Sequence, residues 1–333
     1  MSSYGFPTML QYNRLTASTA DIKARADEAR TELVSGRHAD LKKSLGAAVG
    51  DSHLLRKAID DVRAMLTSAS RALGRAGAAQ IAMTRAADTT IEIGGNLLSA
   101  IGRDDQQSIA VAATQAGLQL DAAISSFNTR YEGRSLFSGD ASNLPALADS
   151  ETLLTDVRAI FAGAANNAQL QADLDTYFNT PGGGFETNIY LGGSGDAART
   201  EISDGELVNY SAKADEQPVR DLLRSLSTLV VANEQTGWPE RNEALSAAGT
   251  GLIQAANDIT TMRSRVGAAE ERIVAADKRL EAEATALSAS YNELTAVDPY
   301  EAASRLQALE TQLEASYVAT SRISQLTFAN FIR

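Results

Sequence analysis

Residues 259–280 read ITTMRSRVGAAEERIVAADKRL. The apolar positions in this stretch are Ile259, Met262, Val266, Ala269, Ile273, Ala276 and Leu280, separated by strict three-four steps. That spacing draws one stripe down a helix, the heptad seam of a coiled coil. Leu287, Tyr291 and Leu294 extend the stripe. A seam needs partners, and the chain offers two more. Residues 52–101 carry Leu55, Ile59, Val62, Leu66, Ala69, Leu73 and Ala76, with Met83 and Ala87 continuing the phase. Gln80 interrupts that run as a polar seam position of the kind that tunes register. Residues 105–132 carry Ile109, Ala113, Ala116, Leu120, Ala123 and Phe127. The fold class expected is therefore mainly α. Segments 52–101, 105–132 and 248–296 would form an antiparallel three-stranded bundle, a rod whose longest member spans roughly 70 Å at the helical rise.

The helix ends carry their own signals. A first helix over 6–35 stops at Gly36, a C′ glycine. Asp51 or Ser52 is placed to cap the next helix, Gly94-Gly95 weakens that helix near its end, and Asp104 or Asp105 caps the third. Asp298-Pro299-Tyr300-Glu301 reads as N-cap, N1 proline and N3 glutamate, a capping box that opens a final helix. Leu306, Leu309, Leu313 and Tyr317 share a face of it, and Ile323 and Leu326 continue towards the apolar end LTFANFIR. Helices 6–35 and 299–327 have incomplete stripes and no third partner. They are marginal alone, expected to be unpaired in the monomer, and suited to finding partners in other molecules.

Between the arms the chain changes character. Pro181-Gly182-Gly183-Gly184, Gly192-Gly193-Ser194-Gly195 and Asp204-Gly205 are turn signals. Segments around 185–191, 198–203 and 206–212 are strand-like, with Asp204-Gly205 set for a tight hairpin. Helical pieces near 151–162, 166–178 and 218–232 flank them. The organisation is nested: terminal assembly helices at 1–44 with 297–333, a helical rod at 45–139 with 246–296, and an inserted small α+β domain at 140–245.

Composition narrows the function. A net charge of -12 over 333 residues argues against a general nucleic-acid or anionic-membrane binder. No run of eighteen apolar residues is present, so no span is expected, and the N-terminus lacks a signal-peptide pattern. Cysteine is absent, which fits both an ordinary cytosolic protein and one exported unfolded without a cleaved signal. His38 and His53 stand outside any metal-ligand spacing, and no HExxH, P-loop or nucleophile-elbow pattern occurs. GGSGDA at 192–197 reads as a turn. Asp173 and Asp175 fall short of a calcium loop, because Tyr177 occupies the third ligand position. No catalytic, metal or cofactor site is expected, and the chain is read as a non-enzyme.

One further stretch closes the first arm: RYEGRSLFSGD, residues 130–140. Gly133 would end the helix in a left-handed conformation, Leu136 and Phe137 would pack back on the bundle, and Gly139 would turn the chain outward. With Asn128 before it, this stretch resembles the asparagine, glycine and LFSG-type motif of bacterial flagellins and their hook-associated relatives. ELTAVDPYEAASRLQALETQLEASYVATSRISQLTFANFIR at 293–333 resembles the family's terminal region, and RVGAAEERI at 265–273 its C-terminal bundle helix. The likeness covers roughly 1–140 and 245–333 and is nearer to the hook-associated members than to flagellin itself. After Ser35-Gly36-Arg37 the family's aspartate-aspartate-proline element is missing from 39–52. The resemblance implies a structural protein at the hook–filament junction that templates flagellin assembly. It also implies partners: further copies of the chain, another hook-associated protein, flagellin and an export chaperone. A short flagellin forming the filament is the alternative within the family. A cytoplasmic coiled-coil scaffold is the alternative of another class.

Overall fold

The computed structural model describes the backbone of residues 9–195, 198–203 and 205–331, and side chains over 13–195, 198–203 and 205–322. The protein is mainly α. Helices α1 (Met9–Ser35), α2 (Leu41–Leu45), α3 (Val49–Ala86), α4 (Thr90–Gly102) and α5 (Gln106–Phe127) come first. A short hairpin β1 (Arg130–Tyr131) and β2 (Arg134–Ser135) follows, then α6 (Ser150–Gly163) and α7 (Asn167–Asn179). Hairpin β3 (Arg199–Ser203) and β4 (Glu206–Asn209) precedes α8 (Gln217–Glu234), α9 (Arg241–Thr295) and α10 (Pro299–Phe331). The chain divides into two compact units, one of residues 1–63 with 282–333 and one of residues 64–281.

In the second unit α9 lies antiparallel to α3 and α4. Gln80 on α3 donates to the Arg263 carbonyl (2.9 Å), and Gly94 on α4 lies against Gly249. A Cβ on Gly94 would sit 2.7 Å from the Gly249 carbonyl oxygen. Gly94 is therefore a point of close helix approach, which corrects the expectation that it weakens the helix. All six expected seam positions of α5 are buried, as are Ile259 through Leu280 on α9.

The seam of α3 departs from the expected register. Its innermost residues are Ala69, Ala72, Ala76, Ala79, Met83 and Ala86, while Leu73 and Ala87 pack from the side. Gln80 thus stands beside the seam and holds α9 by hydrogen bonds. A second correction is larger. The helix expected over 52–101 is broken at 87–89, where Thr89 adopts φ +57. Gln119 of α5 supplies the reason: its carboxamide donates to the carbonyls of Arg85 (3.1 Å) and Ala86 (2.8 Å). One side chain satisfies the Ala86 carbonyl and shares the Arg85 carbonyl with the Asp88 amide (3.3 Å) at the helix end.

Residues 140–245 share the core of this unit. Phe161, Leu170, Leu174, Phe178, Phe185 and the inner face of α8 belong to one continuous apolar cluster with the bundle seams. Helix α8 packs on α5 as well as on α6 and α7. Residues 185–189, expected as strand, form a π-helical turn closed by the Tyr190 amide on the Phe185 carbonyl (2.8 Å). That turn buries Phe185 and Ile189, four residues apart, a pair that a strand would also have placed on one face. Strands β3 and β4 pair antiparallel from Arg199↔Asn209 to Ser203↔Glu206. Gly205 takes φ +76 in their turn; Asp204 lies outside the described residues.

In the first unit α1 ends at Gly36, which has φ +69 and donates its amide to the Glu32 carbonyl (2.8 Å). Asp40 then caps α2 by accepting from the Lys43 amide (3.0 Å). A 3-10 turn at Gly46–Ala48 runs directly into α3 at Val49. Asp51 and Ser52 consequently fall inside the first turn of α3, which corrects their expected role as caps; the Ser52 hydroxyl bonds back to the Val49 carbonyl (2.8 Å).

Candidate assembly surface

Helix α1 places Leu15, Thr19, Ile22, Ala26 and Ala29 on one stripe at four-three steps, and α10 does the same with Ala302, Leu306, Leu309, Leu313 and Ser316. The two helices run antiparallel with these stripes facing. Thr19 and Ser316 share a hydroxyl hydrogen bond (2.5 Å), and Arg30 pairs with Glu310 (3.2 Å). Leu309 is 5% exposed and forms a small buried cluster with Ala26 and Ala29, with Ile22 and Leu306 against it. The leucine face of α10 therefore has a partner within the chain, contrary to the expectation that it is unpaired. Tyr317 does not share this face: the heptad steps from Leu313 to Ser316, and Tyr317 is 51% exposed. The side chains of Ile323 and Leu326 lie outside the described residues.

The joints leading into the two helices are paired. The amide of His38 donates to the Thr295 carbonyl (3.0 Å) and that of Val297 to the Gly36 carbonyl (3.1 Å), a one-step antiparallel bridge between Arg37 and Ala296. Arg37 reaches Asn292 and lies over the Tyr291 ring (5.5 Å). Glu32 closes the arrangement. Its side chain is only 5% exposed and accepts from Arg305 (2.9 Å) and from the Ala39 amide (3.2 Å), with His38 Nδ1 at 3.5 Å. A buried carboxylate needs such partners. Glu32 was not legible beforehand, since its spacing reads as an ordinary solvated position. Asp298 caps α10 as its sequence suggests, accepting from Tyr300 (2.8 Å) and Glu301 (3.3 Å) amides, while Glu301 pairs along the helix with Arg305 (2.8 Å).

The second unit holds the glycine-flanked stretch. Helix α5 ends at Asn128, so Gly133 does not terminate it. Instead Glu132 (φ +49) and Gly133 (φ +77) turn the hairpin that joins β1 to β2. Asn128 fixes the exit, donating to the Leu147 carbonyl and accepting from its amide, both at 2.9 Å. The Tyr131 ring lies over Gly74 of α3, where any Cβ would meet its hydroxyl at 2.2 Å. Arg75 donates to the Ser135 carbonyl (2.7 Å), and burial lowers its pKa from the ordinary arginine value. Leu136 and Phe137 are buried, with Phe137 edge-on to Phe127 (5.1 Å). Gly139 has φ +58, and a Cβ there would stand 2.4 Å from the Gly193 carbonyl oxygen.

The expected seam residues are placed as follows. Ile59, Val62, Ile259, Val266, Ile273 and Leu280 are buried, while Leu55, Leu66 and Leu73 are half-buried. Among the described residues, no group of three or more His, Asp or Glu side chains is arranged to hold a metal ion. None of the described helices is long and apolar enough to cross a membrane.

Residues 250–332, which run from the first third of α9 to the end of α10, match the model of the bacterial flagellin C-terminal helical region. The C-terminal region is flagellin-like. Among solved structures, a protein of Vibrio parahaemolyticus assigned as a flagellar hook-associated protein shares the fold at a TM-score of 0.54. That alignment covers 74% of this chain and 97% of the other at 11% identity. Bacillus cereus FlgL aligns over 74% of this chain and 100% of its own, at 15% identity and a TM-score of 0.40, too distant to bear on the fold. No curated protein matches the chain. The flagellin-like region supplies α10, the whole of one partner in the terminal pair.

Proposed function

We propose that this chain is a structural subunit of the bacterial flagellum that sits at the hook–filament junction and templates flagellin assembly. The observation that carries this reading is the flagellin-like C-terminal region, 250–332, on a chain whose fold is shared with a hook-associated protein. In this reading the terminal pair α1 and α10 is the assembly element, residues 64–139 with α9 form the load-bearing bundle, and residues 140–245 face outward. The buried cluster of the pair is small, Ala26, Ala29 and Leu309. Short seams of this kind are marginal alone and gain most from neighbours. Coupled ordering on assembly is the mechanism: helices of low intrinsic stability are fixed when further copies, another hook-associated protein and flagellin cover them. An export chaperone would hold the terminal helices before that. In this reading the protein acts outside the cell.

A short flagellin remains the second reading, favoured by the match to the flagellin C-terminal region itself. Immunogold labelling of sheared flagella separates the two. Gold confined to the boundary between hook and filament is the expected result. Gold along the whole filament makes the chain a filament subunit, and unlabelled flagella with label in the cytoplasm overturn the flagellar reading.

A further inference from the structure

The break between α3 and α4 has an unusual cause. Residues 84–93 read TRAADTTIEI, with no proline and no glycine to interrupt a helix. The burial pattern also ignores the break. Met83, Ala86, Thr90, Ile93, Leu97 and Ala100 are all buried and keep alternating three-four steps, the phase that one uninterrupted helix would show. Yet Thr89 adopts φ +57, a left-handed conformation that a β-branched residue rarely takes. No proline or glycine forces the break; the Asp88 carboxylate accepts from the Thr89 amide (3.0 Å), and a tertiary contact adds to this local one. Gln119, 8% exposed on α5, donates to the carbonyls of Arg85 and Ala86, and the Thr89 hydroxyl donates to its Oε1 (3.4 Å). Those two carbonyls are the ones the amides of Thr89 and Thr90 would reclaim in an unbroken helix.

We propose that residues 87–89 are a two-state joint, broken while the Gln119 carboxamide occupies the end of α3 and continuous when it withdraws. Both states use the same buried stripe, so the transition changes the rise of this helix without exchanging its core. The joint gives the bundle a discrete adjustment of length at one place, and it stands independently of the flagellar reading. The two states bias each other in the ordinary way: whatever favours one side chain position shifts the population of the helix state.

The test is a sign reversal. In the native chain Thr89→Gly removes the left-handed strain and raises Tm by about 2 °C or more. In the background of Gln119→Leu, which cannot hold the break, the same glycine sits inside a continuous helix and lowers Tm by a similar amount. Hydrogen exchange reads the state directly. The first-turn amides of Ile91 and Glu92 in α4 slow about tenfold or more in Gln119→Leu, because continuity gives them helical acceptors at Ala87 and Asp88. Gln119→Met provides a second variant with the same expectation. The proposal is overturned if Thr89→Gly destabilises the native chain. It is equally overturned if either Gln119 variant leaves the exchange of Ile91 and Glu92 unchanged.

Discussion

Gly139 is constrained twice, by its φ of +58 and by the carbonyls of Gly193 and Gly195 facing its Cα. Gly139→Ala adds both left-handed strain and an overlap with backbone that cannot swing aside. A loss of at least about 2 kcal/mol is expected, read as a lower midpoint in urea. The capping aspartates give a pH-dependent effect. Hydrogen bonds from the side chain and amide of Ser108 lower the pKa of Asp105, and the amide and hydroxyl of Thr152 lower that of Asp149. A folded-state pKa below the unfolded value contributes stability above the ordinary carboxylate range, and that stability is lost as pH falls through the folded value. Asp105→Ala and Asp149→Ala should therefore lower Tm at pH 7, and the gap to the native protein should narrow on acidification towards pH 2. A gap independent of pH would show that the carboxylate charge plays no part. Caps of this kind are legible in sequence because donor and acceptor lie three residues apart, as at Asp298. Glu32 and Gln119 were not, because each is given its role by groups remote in the chain.

Helices α5 and α9 show their inward faces plainly in the heptad spacing, and the prediction at this scale follows from them. Ile273 is fully buried at the centre of its seam, so Ile273→Asp should collapse the second unit at a cost of several kcal/mol, on the order of 3 or more. Leu66 is half-buried and should tolerate the same change far better, with a Tm close to native. Equal effects from the two would refute the observed register. The terminal pair is the other element to perturb. Leu309 contributes about 1.5–3 kcal/mol of burial to the small cluster with Ala26 and Ala29, against which Ile22 and Leu306 pack. Leu309→Ser combined with Leu313→Ser should expose α1 and α10 to protease while leaving the main thermal transition of the second unit in place. Loss of that transition would mean that the leucines support a larger core than the cluster with Ala26 and Ala29. Alternation of leucine with small residues made the α3 register hard to read: alanine and leucine both qualify as seam residues, and only packing distinguishes Ala72 from Leu73. The broken helix at 87–89 escaped for a related reason, since it has no proline or glycine and the Gln119 contact that helps to hold it is remote in the chain.

At the scale of the whole chain, most of the helices could be read from caps, glycines and periodicity, while the compact units divide the chain at 63/64 and 281/282. What could not be read was how fully residues 140–245 share the core of the bundle, because the apolar face of α8 reveals no partner by itself. The π-helical turn at 185–189 was equally hidden, since five residues with alternating apolar character fit a strand as well. If the chain is a flagellar assembly subunit, as proposed, its loss should show in the filaments. The decisive measurement is made on cells deleted for this chain, scoring attached filaments by electron microscopy and soluble flagellin in the medium. The account predicts intact hooks without filaments and flagellin released to the medium, restored by the native gene and not by the Leu309→Ser, Leu313→Ser form. Filaments of normal number and length on the deleted cells would contradict it.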